Sequence, residues 1–359
     1  MNSILPTYWR NLAKGNCYGA IYQLLLALLI PLSLPYTMLQ RLRTWLYRAG
    51  LLESKRLPRP VVSVGNITVG GTGKTPVITW LASQLIRQEF RVAVLSRGYG
   101  GSMEGECVIV SDGREIFRTA EECGDEPYLL ATTVPGLMVV IGSDRHQAGM
   151  LAMERLLPDV FLLDDGFQHI RLQRDMNILL LDCERPFGNG WTLPAGLLRE
   201  SRSSVLRADW IIRTRCREVP KHIPGLDIPE TDGRHVFRDI VPICGGEPQD
   251  ITFLQGKRII AFAGIAEPDC FFDDLRMCGA DISSTISLTD HVRYETELVA
   301  AILDKLRTSD AVFAVTTEKD AVKLRGLQMP ADCQFMAARL DVKIAGGENI
   351  IREISNLLQ

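Results

Sequence analysis

Apolar positions fall along this chain in two rhythms. Short β-branched runs at 60–64, 91–95, 137–141, 159–163, 176–181 and 210–212 read as buried strands. Helically spaced stretches separate several of them, among them 77–86 and a helix opened by Gly124-Asp125-Glu126-Pro127. This alternation predicts an α/β domain with a mainly parallel sheet over roughly the first 220 residues. From about 220 to 250 the rhythm fades as Pro220, Pro224, Gly225, Pro229, Gly233 and Pro242 accumulate, as in a linker or domain edge. A second, smaller α/β unit follows, with strands at 258–264, 282–286 and 311–316 and a helix at 294–306. A terminal helix at 349–358 is expected to return to the first domain. The expected division is therefore 1–50, 51–235, 236–345 and 346–359.

The first of these segments has its own pattern. No charged residue lies between Lys14 and Arg41, and an apolar run from Ala20 to Ile30 is followed by Pro31 and Pro35. A spanning helix wants about 20 unbroken apolar residues, and the two prolines are expected to cut this one short. Arg41, Arg43, Arg48, Lys55, Arg56 and Arg59 follow, interleaved with Trp45 and Tyr47. A short apolar helix beside cations and aromatics suits a bilayer surface with anionic headgroups. A cleaved signal peptide and a buried helical hairpin are the alternatives, and no small-x-small cleavage site follows the run.

Composition adds few constraints. The chain has 359 residues, 46% hydrophobic and 23% charged, which suits a folded protein of about two domains. A net charge of −3 gives no electrostatic case for nucleic acid, and nothing demands an obligate protein partner. The nine cysteines, Cys17 among them, include no CxxC pair, so buried free thiols in a reducing compartment are expected.

The strand at 60–64 leads into a glycine-rich loop and then a helix, the context that a phosphate loop requires. The loop residues Thr68, Val69, Gly70, Gly71, Thr72, Gly73, Lys74 and Thr75 form the expected nucleotide site. Glycines let backbone N–H groups curl round phosphate oxygens, and the helix N-terminus adds its positive dipole end. Lys74 can reach the β- and γ-phosphates of ATP, and the Thr75 hydroxyl can ligate Mg²⁺. Thr68 departs from the usual pattern, which has glycine there; this loop carries Gly70-Gly71-Thr72-Gly73 instead, a variant spacing found in some ATPases. The strand at 159–163 ends in Asp164-Asp165-Gly166, a carboxylate pair placed for metal handling. Ser96-Arg97-Gly98-Tyr99, Asp144-Arg145 and Leu198-Arg199-Glu200 sit in further loops where arginines could neutralise phosphoryl charge.

Taken with Asp164-Asp165-Gly166-Phe167-Gln168-His169, Leu193-Pro194-Ala195-Gly196, Asp290-His291 and Thr316-Thr317-Glu318-Lys319-Asp320, these segments resemble the tetraacyldisaccharide 4′-kinase family of lipid A biosynthesis. The resemblance runs through most of the chain. It implies a P-loop NTPase-like α/β fold with a smaller second α/β domain and a membrane-associated N-terminal helix. The implied reaction is ATP-dependent, Mg²⁺-assisted transfer to the 4′-hydroxyl of a lipid disaccharide, a tetraacyldisaccharide 1-phosphate. The implied place is the cytoplasmic face of a bacterial inner membrane. By the same resemblance Asp125 is the general base, supported by His291 from another domain, so that closure would assemble the pair. Asp164, Asp165 and Glu200 would handle the metal with Thr75, and Arg145 and Arg199 would bear on the phosphates. The rival from another class is a membrane-associated ATPase switch controlling partner binding; a soluble small-molecule kinase is the third reading.

Overall fold

The structure, a computed structural model, describes residues 4–15, 19–216, 223, 225, 227–327, 329 and 333–358. Cys17, Pro220 and Pro224 lie outside the described residues. In chain order the elements are α1 (Ile4–Lys14), α2 (Ala20–Arg48), β1 (Val61–Asn66), α3 (Lys74–Arg87), β2 (Val92–Ser96), β3 (Val108–Asp112), α4 (Ala120–Cys123) and α5 (Asp125–Thr133). They continue with β4 (Met138–Ile141), α6 (Arg145–Arg155), β5 (Val160–Asp164), β6 (Met176–Asp182), β7 (Trp210–Thr214), β8 (Glu230–Pro242), β9 (Arg258–Ala263) and α7 (Pro268–Met277). The last are β10 (Asp281–Ser287), α8 (Thr296–Arg307), β11 (Phe313–Thr317), α9 (Glu318–Leu324), β12 (Phe335–Ile344) and α10 (Gly347–Leu357).

The chain forms two compact units, and both are discontinuous in sequence: 1–96 with 144–234 and 343–359, and 97–143 with 235–342. Contiguous domains at 51–235 and 236–345 were the simplest expectation from the fading of periodicity. The difference arises because α4, α5, β3 and β4, which follow β2 in sequence, belong to the second unit, where α5 packs on α9.

In the first unit the strands run in the order β8, β7, β6, β1, β5, β2, and all their pairings are parallel. β1 is buried along its whole length, with β5 on one side and β6 on the other. Its carboxyl end is therefore the topological switch point where ligands bind in open parallel sheets. α3 packs on β1, β5 and β2 and receives α10, whose Gly347 lies so close to Trp80 that a Cβ would come within 2.5 Å of the ring.

α2 is one continuous helix of 29 residues, about 43 Å at 1.5 Å per residue, and both prolines lie inside it. The expected break does not occur because tertiary bonds fasten the helix between the two prolines. Buried Ser33 donates to the Thr192 carbonyl (3.0 Å) and accepts from the Ala195 N–H (3.0 Å), and Thr37 pairs with the Thr192 hydroxyl (2.7 Å). Ile21, Leu24, Leu28, Leu32, Leu39 and Leu42 form an apolar stripe, each more than half exposed. By length and composition α2 is apolar enough to cross a membrane.

In the second unit β10, β9, β11 and β12 pair in parallel, with β8 next to β12, and β3 and β4 form an antiparallel pair. Successive residues of β9 face opposite layers. Ile260 and Phe262 meet Val299, Ile302 and Leu303 of α8, while Ile259 and Ala261 meet Phe271, Phe272 and Leu275 of α7. β8, hidden among the prolines and glycines of the expected linker, is a 13-residue strand that begins in the first unit and ends in the second.

The thiol expectation is also corrected. Cys183 and Cys216, just beyond β6 and β7, are disulfide-paired, with Cα atoms 5.2 Å apart. Of the other described cysteines only Cys123 is buried.

Candidate active site

At the carboxyl end of β1 the chain turns through the glycine-rich loop into α3, whose N-cap Gly73 is left-handed (φ 76°). No side chain caps α3, so its first N–H groups and dipole end are available to an anion. The loop is held in place by backbone bonds, from the Val69 N–H to the Leu197 carbonyl (2.8 Å) and from the Arg199 N–H to the Ile67 carbonyl (2.7 Å). The Thr214 hydroxyl donates to the Thr72 carbonyl at 2.8 Å.

Side chains close a polar ring around the loop's end. Lys74 Nζ lies 3.5 Å from Asn66 Oδ1 and 3.4 Å from Asp165 Oδ1. Asp165 Oδ2 accepts from Arg199 at 2.7 Å, Arg199 reaches Gln168 Oε1 (3.4 Å), and Gln168 donates back to the Asn66 carbonyl (2.8 Å). Burial would push the Asp165 carboxyl up, but Lys74 and Arg199 outweigh it and hold it below its usual value. Asp165 also has a left-handed backbone (φ 49°), a strained setting that the surrounding bonds must maintain. α2 supports this ring from behind: Tyr36 donates to the Arg199 carbonyl (3.0 Å) and Arg43 to the Gln168 carbonyl (3.3 Å).

The remaining residues expected in this unit are placed separately. Asp164, buried at the end of β5, accepts from Ser96 at 2.8 Å. Arg145 is buried in the first turn of α6 beside His169, whose pKa is lowered to about 4 by burial and then by Arg145 and Arg174. Glu200 has both carboxylate oxygens on Arg207 (2.7 and 2.9 Å) and takes a further bond from Ser204 (3.1 Å). It is thus engaged in a structural ion pair instead of joining the Lys74 ring.

Among the described residues no three His, Cys, Asp or Glu side chains gather as a metal cluster. Mg²⁺ in a phosphate-loop site keeps waters and nucleotide oxygens and takes few protein ligands. A hydroxyl at Thr75 and a carboxylate at Asp164 are the hard oxygen donors such an ion requires.

The second cluster lies within the other unit. Asp125 opens α5 after Gly124, whose φ of 90° and close approach to the Tyr99 carbonyl (2.7 Å from an added Cβ) exclude a side chain. His291 Nδ1 is 3.3 Å from Asp125 Oδ2, with the Tyr99 ring edge-on to the imidazole at 5.2 Å. Asp125 and His291 therefore belong to one compact unit and are already paired, so the expected assembly by domain closure is not needed for them. The reason is the discontinuity of that unit, which joins residues 97–143 to 235–342. Like Asp165, His291 has positive φ (57°).

Sequence reasoning gave no role to two further residues. Lys323 Nζ lies 3.0 Å from Asp125 Oδ2, and Lys319 Nζ lies 3.1 Å from Glu126. The signal was present in Thr-Thr-Glu-Lys-Asp and the lysine four residues on, one helical turn apart. Burial opposes charge on Asp125, but His291, Lys323 and Lys319 together hold its carboxyl below the usual range.

A family model described as tetraacyldisaccharide-1-P 4′-kinase matches residues 25–359. The chain belongs to the tetraacyldisaccharide 4′-kinase family. The family member from Pelobacter propionicus is 55% identical over the full length of both chains. The one from Geobacter metallireducens is also 55% identical, over 84% of this chain and 89% of its own. A crystal structure of the Aquifex aeolicus LpxK in complex with ATP superposes with a TM-score of 0.79 at 34% identity, covering 93% of this chain and 100% of the other. The α/β, P-loop NTPase-like fold expected from sequence is thus the fold of this kinase family.

Proposed function

We infer that this chain transfers the γ-phosphate of ATP to the 4′-hydroxyl of a tetraacyldisaccharide 1-phosphate, giving the 1,4′-bisphosphate in lipid A biosynthesis. The observation that carries the reading is the family match across residues 25–359.

The chain's own residues divide the chemistry. The N–H groups of the 68–75 loop and Lys74 bind the β- and γ-phosphates, and Arg199 and Arg145 offset charge on the phosphoryl oxygens. Asp125, held ionised, accepts the proton of the 4′-hydroxyl as its oxygen bonds to the γ-phosphorus. The bond from that phosphorus to the β,γ-bridging oxygen breaks, and ADP leaves. Thr75 and Asp164 would hold Mg²⁺, which would neutralise phosphate charge and orient the phosphates; Asp165 acts through Lys74 and Arg199, and Glu200 stays in its ion pair with Arg207.

The exposed stripe of α2 supports association with a membrane, where the acyl chains of the substrate would reside, and the need for ATP sets the protein on the cytoplasmic face of the inner membrane. Incubating the protein with γ-labelled ATP and purified tetraacyldisaccharide 1-phosphate in mixed micelles tests the reading. Label in the lipid with wild type is the expected result. No label with a folded, ATP-binding protein would overturn it and bring the ATPase-switch reading forward.

A further inference from the structure

The second helical turn of α9 faces the proposed base, and the family motif that contains α9 has so far been given no chemical task. α9 is set rigidly. Thr317 caps it by accepting from the Asp320 N–H (3.1 Å), and the Thr317 hydroxyl donates to Asp320 Oδ2 (2.7 Å). Asp320, fully buried, also takes the Gly264 N–H at the end of β9 (3.0 Å). With Asp320 fixed inward, Lys319 and Lys323 project from one side of the helix, one turn apart.

Each lysine fastens two segments. Lys323 Nζ contacts Asp125 Oδ2 (3.0 Å) and donates to the Val292 carbonyl (3.2 Å), the residue after His291. Lys319 Nζ contacts Glu126 (3.1 Å) and Asp290 (3.7 Å), the neighbours of Asp125 and His291. Both side chains are largely buried, 12% and 16% exposed, so these pairs are poorly screened by solvent. Asp125 Oδ2 thus carries two donors, His291 and Lys323. Among the described residues no donor reaches Oδ1.

We propose that Lys323 is a positioning residue for phosphoryl transfer: with His291 it fixes Asp125 through Oδ2, presenting Oδ1 to the acceptor hydroxyl, while Lys319 clamps the flanking Glu126 and Asp290. The proposal rests on the kinase reading above. A carboxylate carrying two donors on one oxygen has its rotation stopped, and its remaining lone pairs point in one direction. The ammonium group also offsets the charge that burial would otherwise suppress, so Asp125 enters each turnover already deprotonated.

The groups facing Asp125 are His291 on the 290–292 loop, Lys323 and Lys319 on α9, and Glu126 on its own helix. Cys123 and Tyr294 also feel its charge. Both are pushed up, mainly by burial, the thiol to about 12, so neither titrates in the assay range.

The test is the pH dependence of kcat and KM for lipid phosphorylation by the full-length protein, wild type beside Lys323→Met and Lys323→Arg. Lys323→Met is expected to lower kcat about 10- to 100-fold with KM for ATP within about two-fold. It should also move the acid limb up by about one pH unit, because removing a cation raises the pKa of the carboxyl that must be ionised. Lys323→Arg keeps the charge but displaces the donor, so the limb should stay in place while kcat falls. A lower plateau with an unmoved limb in Lys323→Met would reduce Lys323 to a purely structural part and overturn the proposal. Should Lys323→Met fail to fold, unchanged kcat in Lys323→Arg would overturn it equally. Carboxyl ¹³C NMR of aspartate-labelled protein, assigned with Asp125→Asn, reads the same titration without turnover. Wild type that labels no lipid would defeat the kinase reading, while an Asp125 titration that does not move on loss of Lys323 would defeat this one.

Discussion

The loop after β1 holds its phosphate-facing groups with backbone, whereas Asp125 is set by side chains drawn from two distant segments. In the loop, N–H groups of residues 68–75 lie between a buried strand and an uncapped helix, and two backbone bonds from 197–199 fix them. Around Asp125, His291 and Lys323 arrive from positions 166 and 198 residues further along the chain. The two constructions should fail differently. Backbone donors survive most substitutions, so damage there comes through the few charged side chains that complete the site; a cluster of side chains loses its geometry when any one member is shortened.

The sharpest break of this contrast is Asp125→Ala. Turnover should fall by about 10²–10⁴, the usual worth of a general base, while ATP affinity stays within about two-fold. Intact turnover by single-turnover labelling would remove the base assignment. Lys74→Ala comes next, with an expected loss of about 10²–10³. Here nucleotide affinity should fall too, and titration with a fluorescent ATP analogue would separate the two variants. A smaller effect is expected from acid. The folded Asp125 carboxyl titrates below its unfolded value of about 3.9, so its contribution to stability is complete above that pH and is lost as pH falls through the folded value. Thermal melting in detergent should therefore lose less between pH 5 and about 3 in Asp125→Asn than in wild type; equal losses would show that Asp125 carries no such linkage. The smallest change is Ser33→Ala in α2, which removes a buried hydroxyl bonded on both sides and should cost about 1 kcal/mol in a denaturant melt. No change would mean that Tyr36, Thr37 and Arg43 suffice to fasten the helix.

The same contrast explains what the sequence made legible. A phosphate loop is local, so strand, glycines, Lys74 and Thr75 could be read directly, and α3 follows where 77–86 predicted a helix. The Asp164-Asp165 pair was readable because it ends an apolar strand. Asp125 and His291 could be named only through the family resemblance, because the bond between them spans 166 residues. Their membership of one unit was hidden because packing of α5 on α9 leaves no trace in periodicity. β8 was missed for a simpler reason: Pro229, Gly233 and Pro242 mimic a linker, yet they occupy the strand's ends and its crossing between units. Pro31 and Pro35 misled in the opposite direction, since Ser33 and Thr37 hold the helix together where local propensity would break it.

The docking of Gly347 against Trp80 also bears on how the molecule is made. The ribosome must translate through Leu357 before α10 can cover α3, although β1, the loop and α3 emerge some 270 residues earlier. At about 5–20 residues per second, α3 waits on the order of tens of seconds with one face bare. During that interval the nascent chain is exposed to chaperones and proteases, and it gains its last cover only when synthesis has passed α10.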